Sequence, residues 1–225
     1  MTYQQLPLDL RLRAAATFDN FVASGNEALL HSLRDESEHY VYLWGNTASG
    51  KTHLLQALSH EAWQRQHSVA YIPLAEGEIS DPDVLSGLES MKLICIDDVH
   101  VIAGQVEWET ALFNLFNRSR EAGGRLIISA SKAPNMSGIK LPDLVSRLNW
   151  GAVYQIMALQ DRDKIAVLQL RATQLGLELS VEIAEYLLKR SPRDMASLFE
   201  LLKRLDTASL TEQRRLTIPF IRQYL

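Results

Sequence analysis

The sequence contains one cysteine, Cys95. An intramolecular disulfide is therefore excluded, and a reducing compartment fits. No stretch approaches the roughly 18 consecutive apolar residues of a membrane span. Residues 1–20 have no apolar core behind a basic start, so no signal peptide is expected either, and the expected location is cytoplasmic. Basic residues are not in excess: 23 Lys and Arg face 27 Asp and Glu, a net charge of −4. This disfavours a chain that grips duplex DNA through a broad basic face, although a local patch is compatible with it. Internal repeats and low-complexity runs are lacking too. What remains is an ordinary globular mixture, 47% hydrophobic and 22% charged over 225 residues, enough for one large domain or two small ones.

Against this background one stretch stands out, Gly45-Asn46-Thr47-Ala48-Ser49-Gly50-Lys51-Thr52. Before it runs Tyr40-Val41-Tyr42-Leu43-Trp44, apolar and rich in β-formers. After it, from His53 to Gln66, Leu54, Leu55, Leu58, Ala62 and Trp63 recur at helical spacing. Strand, glycine loop and helix form the context in which G-x-x-x-x-G-K-[ST] is a phosphate-binding loop. The glycines let backbone N–H groups turn inward around phosphate oxygens, and the helix N-terminus adds partial positive charge. Lys51 would reach the β- and γ-phosphates, and the Thr52 hydroxyl would take a Mg²⁺ position. The bland alternative is a glycine turn before an ordinary helix. The bare pattern arises by chance in roughly one chain per hundred of this length.

A second chemical feature is Lys92-Leu93-Ile94-Cys95-Ile96-Asp97-Asp98, a buried strand ending in two acids. Acids at the carboxyl end of a parallel strand lie in the crevice where the phosphate loop opens. Asp97 would hold Mg²⁺ through water, and Asp98 would orient or deprotonate the attacking water. Cys95, mid-strand, reads as core. Further strands are expected at 68–73, 125–130 and 153–157, and helices ahead of residue 34 and over 81–90, 106–120 and 141–148. In the first of these helices Ala28, Leu29, Leu30 and Leu33 share a face, and in the second Asp81 is the N-cap and Pro82 the first residue. Ser131, behind the strand at 125–130, could touch a γ-phosphate or position water, but a loop serine is more often a turn residue. Beyond Asp161 three amphipathic helices follow, over 161–175, 181–190 and 194–208, with nothing strand-like before Leu216-Thr217-Ile218. The β-α alternation predicts an α/β fold with a parallel sheet flanked by helices over residues 15–157, then a small helical domain over 158–225. Residues 1–14 form a separate tail, extended around Pro7, in which Leu6, Leu8 and Leu10 share one face. That face could enter a partner's groove or pack back on the chain's own body.

Phosphate loop, Asp-Asp strand, one further strand and a helical appendix together resemble the AAA+ P-loop ATPases, over nearly the whole chain. Within that class, Phe18-Asp19-Asn20-Phe21, Asp97-Asp98-Val99-His100 with Ala103-Gly104, and Ser146-Arg147-Leu148-Asn149-Trp150-Gly151 are similar to the DnaA-like family. DnaA itself carries a C-terminal helix-turn-helix domain, whereas this sequence stops at Leu225 and so resembles the short Hda-type members. Gln5-Leu6-Pro7-Leu8-Asp9-Leu10 is similar to the Gln-Leu-x-Leu-x-Leu motif by which such proteins bind the DNA polymerase sliding clamp.

The resemblance implies a lid-type helical domain, ADP or ATP with Mg²⁺ in the loop, and an apolar wall near Phe21 for the base. Lys51 and Thr52 match the Walker A pair, and Asp97 and Asp98 match Walker B. Arg147 falls at the family's arginine finger, which acts in trans on a neighbouring subunit's nucleotide, and Arg193 at the sensor-two arginine of the lid. Without the family, either arginine would read as half of a surface salt bridge. Ser131 stands where an acidic sensor-one residue is usual, and Asp98 where many members have Glu; both imply weak intrinsic hydrolysis. Gln5, Leu6, Leu8 and Leu10 would bind the clamp. The implied function is to stimulate hydrolysis of ATP on the initiator DnaA and so prevent re-initiation, without sequence-specific DNA binding and with room for a homo-oligomer. A DnaC-type helicase loader, or another remodeller running on its own ATP hydrolysis, is the alternative.

Overall fold

The computed structural model describes residues 16–76 and 79–225. The tail and its four motif positions, Gln5, Leu6, Leu8 and Leu10, lie outside the described residues.

The chain opens with helix α1 (Glu27–Arg34), strand β1 (Tyr40–Trp44) and helix α2 (Lys51–Gln64). Then come β2 (Val69–Pro73), β3 (Leu93–Asp97), α3 (Val106–Glu121), β4 (Arg125–Ala130), α4 (Pro142–Leu148) and β5 (Ala152–Gln155). Four more helices follow: α5 (Asp161–Gln174), α6 (Val181–Arg190), α7 (Met195–Glu212) and α8 (Ile218–Ile221). The five strands make one parallel sheet in the order β2-β3-β4-β1-β5.

Central strands β3 and β4 are buried along their whole length, as expected where helices cover both faces. Side chains alternate across the strands. Ile94, Ile96, Leu126 and Ile128 therefore face Leu112, Leu115 and Phe116 of α3 and Leu144 of α4. Leu93, Cys95 and Ile127 join Val41 and Leu43 against Leu29 and Leu33 of α1 and Leu54, Leu55 and Leu58 of α2. Each fully buried leucine contributes about 2 kcal/mol of transfer free energy. A third cluster, built from Leu168, Leu187, Leu198, Leu202, Leu205 and Phe220, belongs to the C-terminal helices. Among the described residues no helix is long and apolar enough to cross a membrane.

Four expectations need correction. The span 81–90 is not one α-helix but two 3₁₀ turns, Pro82–Leu85 and Leu88–Ser90, parted by Gly87 at φ +83°. Asp81 does cap the first, accepting from the Asp83 N–H at 2.9 Å. Trp63 lies on the outer side of α2, 65% exposed, because the buried stripe of that helix runs through Leu54, Leu55, Leu58 and Ala62. Ala28 is exposed while Ser32 takes its place in the buried stripe of α1. Finally, Leu216-Thr217-Ile218 is not a strand: Thr217, itself extended at φ −130°, caps the short α8, its hydroxyl accepting from the Phe220 N–H.

Candidate nucleotide site

The loop between β1 and α2 opens at the carboxyl edge of the sheet. Its first glycine is tied to the neighbouring strand, the Gly45 N–H donating to the Ala130 carbonyl at 3.2 Å. Ala48 at φ +57° and Gly50 at φ +101° turn the backbone through the left-handed region. At Gly50 a side chain is also sterically barred, because a Cβ there would lie 2.6 Å from the Phe21 ring. Inside the loop the Ser49 hydroxyl is buried without a hydrogen-bond partner. Buried polar atoms ordinarily find partners, so an acceptor-rich guest such as a phosphate chain fits the cradle. The Lys51 side chain is only 8% exposed, and its ammonium donates to the carbonyls of Gly45 at 3.1 Å and Asn46 at 3.2 Å. Thr52, next in α2, is half-buried.

The two acids differ in setting. Asp97 is 3% exposed, and both its oxygens are engaged. Oδ2 accepts from the Tyr71 hydroxyl at 2.9 Å, and Oδ1 accepts from the Ser129 hydroxyl. Ser129 in turn accepts from the Asp98 backbone N–H at 2.9 Å. Burial pushes the Tyr71 phenol well above its ordinary range, and the Asp97 charge and hydrogen bond push it further. It therefore stays a donor at any ordinary pH. Asp98 lies just past β3 at φ +59°, one oxygen 3.9 Å from the Lys51 ammonium and 3.8 Å from His100 Nδ1. Burial raises its pKa above the usual carboxylate value, and the Asp97 charge adds to this; Lys51 and His100 oppose it.

Phe21 packs over the end of the loop and against His53, ring centres 5.8 Å apart. His53 Nε2 bonds the Thr17 carbonyl at 2.8 Å, and burial holds its pKa below the ordinary histidine value. A neutral ring donating to that carbonyl fits both facts. Residues 17–21 are thereby pinned across the first turn of α2. Ser131, one residue beyond β4, is half-buried and makes no side-chain hydrogen bond among the described residues.

The arginines lie elsewhere. Arg193, ahead of α7, pairs with Asp161 of α5 at 3.3 Å, both side chains more than half exposed. Ala48 of the loop packs against the C-terminal helical cluster, so that cluster touches the phosphate loop. Arg147, on α4, lines a small cleft with Tyr40, Val41 and Gly151, and no carboxylate pairs with it among the described residues.

Sequence reasoning thus found the loop and both acids but not Tyr71 or Ser129 as the partners of Asp97. The available signal was parity. Tyr71 pairs with Cys95 and Cys95 with Ile127, so odd-numbered residues of β2, β3 and β4 share a face. Using it required knowing that those strands are neighbours.

Comparison with known proteins agrees with this architecture. Residues 161–225 match the model of the Hda lid domain, and residues 82–155 match that of the bacterial DnaA ATPase domain. An uncharacterized protein of Haemophilus influenzae is 47% identical over 227 residues, covering 99% of this chain and 98% of that protein. Among solved structures, domain III of the Thermotoga maritima replication initiation protein DnaA superposes with a TM-score of 0.80 at 21% identity, over 94% of this chain and 96% of that one. AMPPCP-bound DnaA from Aquifex aeolicus gives 0.71 at 23% identity over 89% and 68%. The Thermotoga maritima RuvB Holliday junction branch migration motor gives 0.69 at 17% over 95% and 72%. These structural likenesses attest to the fold, a five-stranded parallel AAA+ sheet flanked by helices. The two family models, which between them span most of the chain, show that it belongs to the DnaA-like AAA+ proteins of the Hda type.

Proposed function

We infer that the chain is a cytoplasmic regulator of replication initiation that binds a nucleotide in its own loop and supplies Arg147 to ATP held by the initiator DnaA. The carrying observation is where Arg147 lies along β1. The phosphate loop leaves the carboxyl end of that strand, after Trp44, whereas the cleft that Arg147 lines is walled by Tyr40, Val41 and Tyr42 of β1, Ile128 of β4 and Gly151 just before β5. Three residues at about 3.3 Å each separate even Tyr42 from Gly45 by roughly 10 Å. A cleft that far from the loop does not put the arginine on its own phosphates. A half-buried cation with no carboxylate partner is suited to another molecule's phosphates.

In the chain's own loop, Gly45 to Gly50 and the start of α2 would hold the phosphates of ADP or ATP. Lys51 would exchange two loop carbonyls for phosphate oxygens. Thr52, and Asp97 through water, would hold Mg²⁺, whose contribution is neutralisation of phosphate charge. Asp97 suits the water-bridged role because Tyr71 and Ser129 already occupy its oxygens. The related DnaA structure contains AMPPCP, which supports a triphosphate in this cradle. Asp98, shorter than the glutamate of many relatives, and the uncharged Ser131, one residue past the neighbouring strand β4, make a weak activator of water. Own-site turnover is accordingly slow. Gln5, Leu6, Leu8 and Leu10 would anchor the chain to the sliding clamp, so that the arginine acts at replicating DNA.

The test mixes initiator loaded with ATP, sliding clamp on DNA and this chain. Arg147→Ala should lower stimulated hydrolysis by about 10³-fold, the low end of what an arginine finger supplies in comparable reactions. An unchanged rate defeats the reading. Turnover by the isolated chain that vanishes with Asp98→Asn would instead favour a loader working through its own hydrolysis.

A further inference from the structure

One buried charge has no part in the account above. Glu109, in the first turn of α3, is 1% exposed, and no cation pairs with it among the described residues. A carboxylate removed from water must be compensated by hydrogen bonds. Here the donors are three backbone N–H groups from two separate segments. Oε1 accepts from Gly104 at 2.6 Å and Lys140 at 3.0 Å, and Oε2 accepts from Lys140 at 3.0 Å and Leu141 at 2.7 Å. Gly104 follows the 3₁₀ turn Val99–Ile102, which begins directly behind Asp98. Lys140 and Leu141 lead into α4, whose first residue is Pro142.

The far end of α4 is held by the same helix. Trp150 lies against Tyr40 and Phe116, and the Arg120 guanidinium stands 4.3 Å from its ring centre. Thus α3 grips both ends of the seven-residue helix that carries Arg147. Glu109 is the grip that also holds Gly104, beyond the turn that follows the acid pair.

We propose that Glu109 is a positioning residue for hydrolysis on the partner: by tying the turn behind Asp97–Asp98 to the start of α4, its carboxylate fixes where Arg147 is presented. This rests on the reading of Arg147 given above. The residue type matters. Glutamine has the same shape but one acceptor oxygen, and its NH₂ would face N–H donors. Alanine removes both acceptors.

The experiment uses the full chain with ATP-loaded initiator and clamp on DNA, and reads single-turnover hydrolysis against the concentration of this chain. Glu109→Gln, which keeps the volume, should lower the maximal rate by about tenfold, since a misplacement near 1 Å costs up to about a hundredfold. The half-saturating concentration and the chain's own nucleotide affinity should stay within about twofold, because neither contact surface is altered. Added to Arg147→Ala, it should cause no further loss. In the isolated chain, amide exchange should quicken over residues 140–148 and not over 51–64. A wild-type rate for Glu109→Gln beside a slow Arg147→Ala overturns the role of Glu109 and leaves the arginine reading intact. A wild-type rate for Arg147→Ala overturns both. Unchanged exchange over 140–148 overturns the link by itself.

Discussion

Asp97 and Asp98 are adjacent in the chain and opposite in environment. Asp97 is satisfied by two hydroxyl donors. Asp98 is held near Lys51, yet burial and its neighbour's charge raise its pKa. The sign for stability follows from linkage. A carboxyl raised in the folded state binds its proton more tightly there than in the unfolded chain. Its cost to the fold is absent below the ordinary carboxylate value, grows as pH climbs to the raised value, and is complete above it. Asp98→Asn removes that cost and also suits the left-handed backbone at φ +59°. At pH 7 the variant should melt about 2 °C above the parent. The gap should narrow as pH falls through the raised value of Asp98, and thermal melts from pH 7 to 4 check it. A gap that widens on acidification would show that Asp98 is stabilised as the anion. At this scale the sequence was legible wherever chemistry is local. The loop and the acid pair each occupy a few consecutive residues, and the structure brings both to the carboxyl edge of the sheet. Tyr71, Ser129 and Glu109 were not legible, because each acts on residues that only strand pairing or helix packing brings near.

At the scale of elements, patterning identified all five strands, and β4 runs over 125–130 as expected. It failed where one backbone position decided the outcome, as at Gly87. Gly151 is another such position. It joins α4 to β5 and lies so close to β1 that a Cβ would stand 2.2 Å from the Tyr40 carbonyl oxygen. Backbone cannot yield as a flexible side chain can. Gly151→Ala should therefore cost about 3 kcal/mol, the upper range for overpacking. The urea midpoint should fall with an unchanged slope. Gly104→Ala is the contrast. Nothing lies within 4 Å of its Cβ position, and φ is +84°, so the cost is backbone strain alone, about 1 kcal/mol. Equal midpoints for the two variants would contradict the close approach of β5 to β1. In the sequence both glycines looked alike, as members of short motifs, since neither local pattern states what lies opposite.

At the scale of the whole molecule, the sheet order β2-β3-β4-β1-β5 could not be read from the chain, because it depends on which apolar strands lie beside which. That order puts β4 between the strands that carry the loop and the acids, and leaves β5 at the edge. The N-terminal segment then links the parts. Phe21 covers Gly50, Asn26 accepts from the Met157 N–H at 2.8 Å, and Ser24 donates to Asp163 of α5 at 2.5 Å. In the proposed function Arg193 is the group through which the C-terminal helices would sense phosphate; the partner it has in the structure, Asp161, is an exposed one. An exposed pair contributes under about 1 kcal/mol, so a phosphate oxygen can displace it at little cost. Without nucleotide, Arg193→Ala should shift Tm by no more than about 4 °C. With ADP at a hundred times its Kd for the parent, the parent should gain about 2.7 kcal/mol, a rise of roughly 5–10 °C. If Arg193 contacts the nucleotide, the variant weakens binding tenfold or more at the same ADP concentration, and about half of that rise is lost. Lys51→Ala, which removes the loop's own cation, should abolish most of it. A full ADP-induced rise in Arg193→Ala, beside its loss in Lys51→Ala, would mean that Arg193 belongs to the surface pair seen here and that the lid follows the nucleotide through residues 17–26 instead.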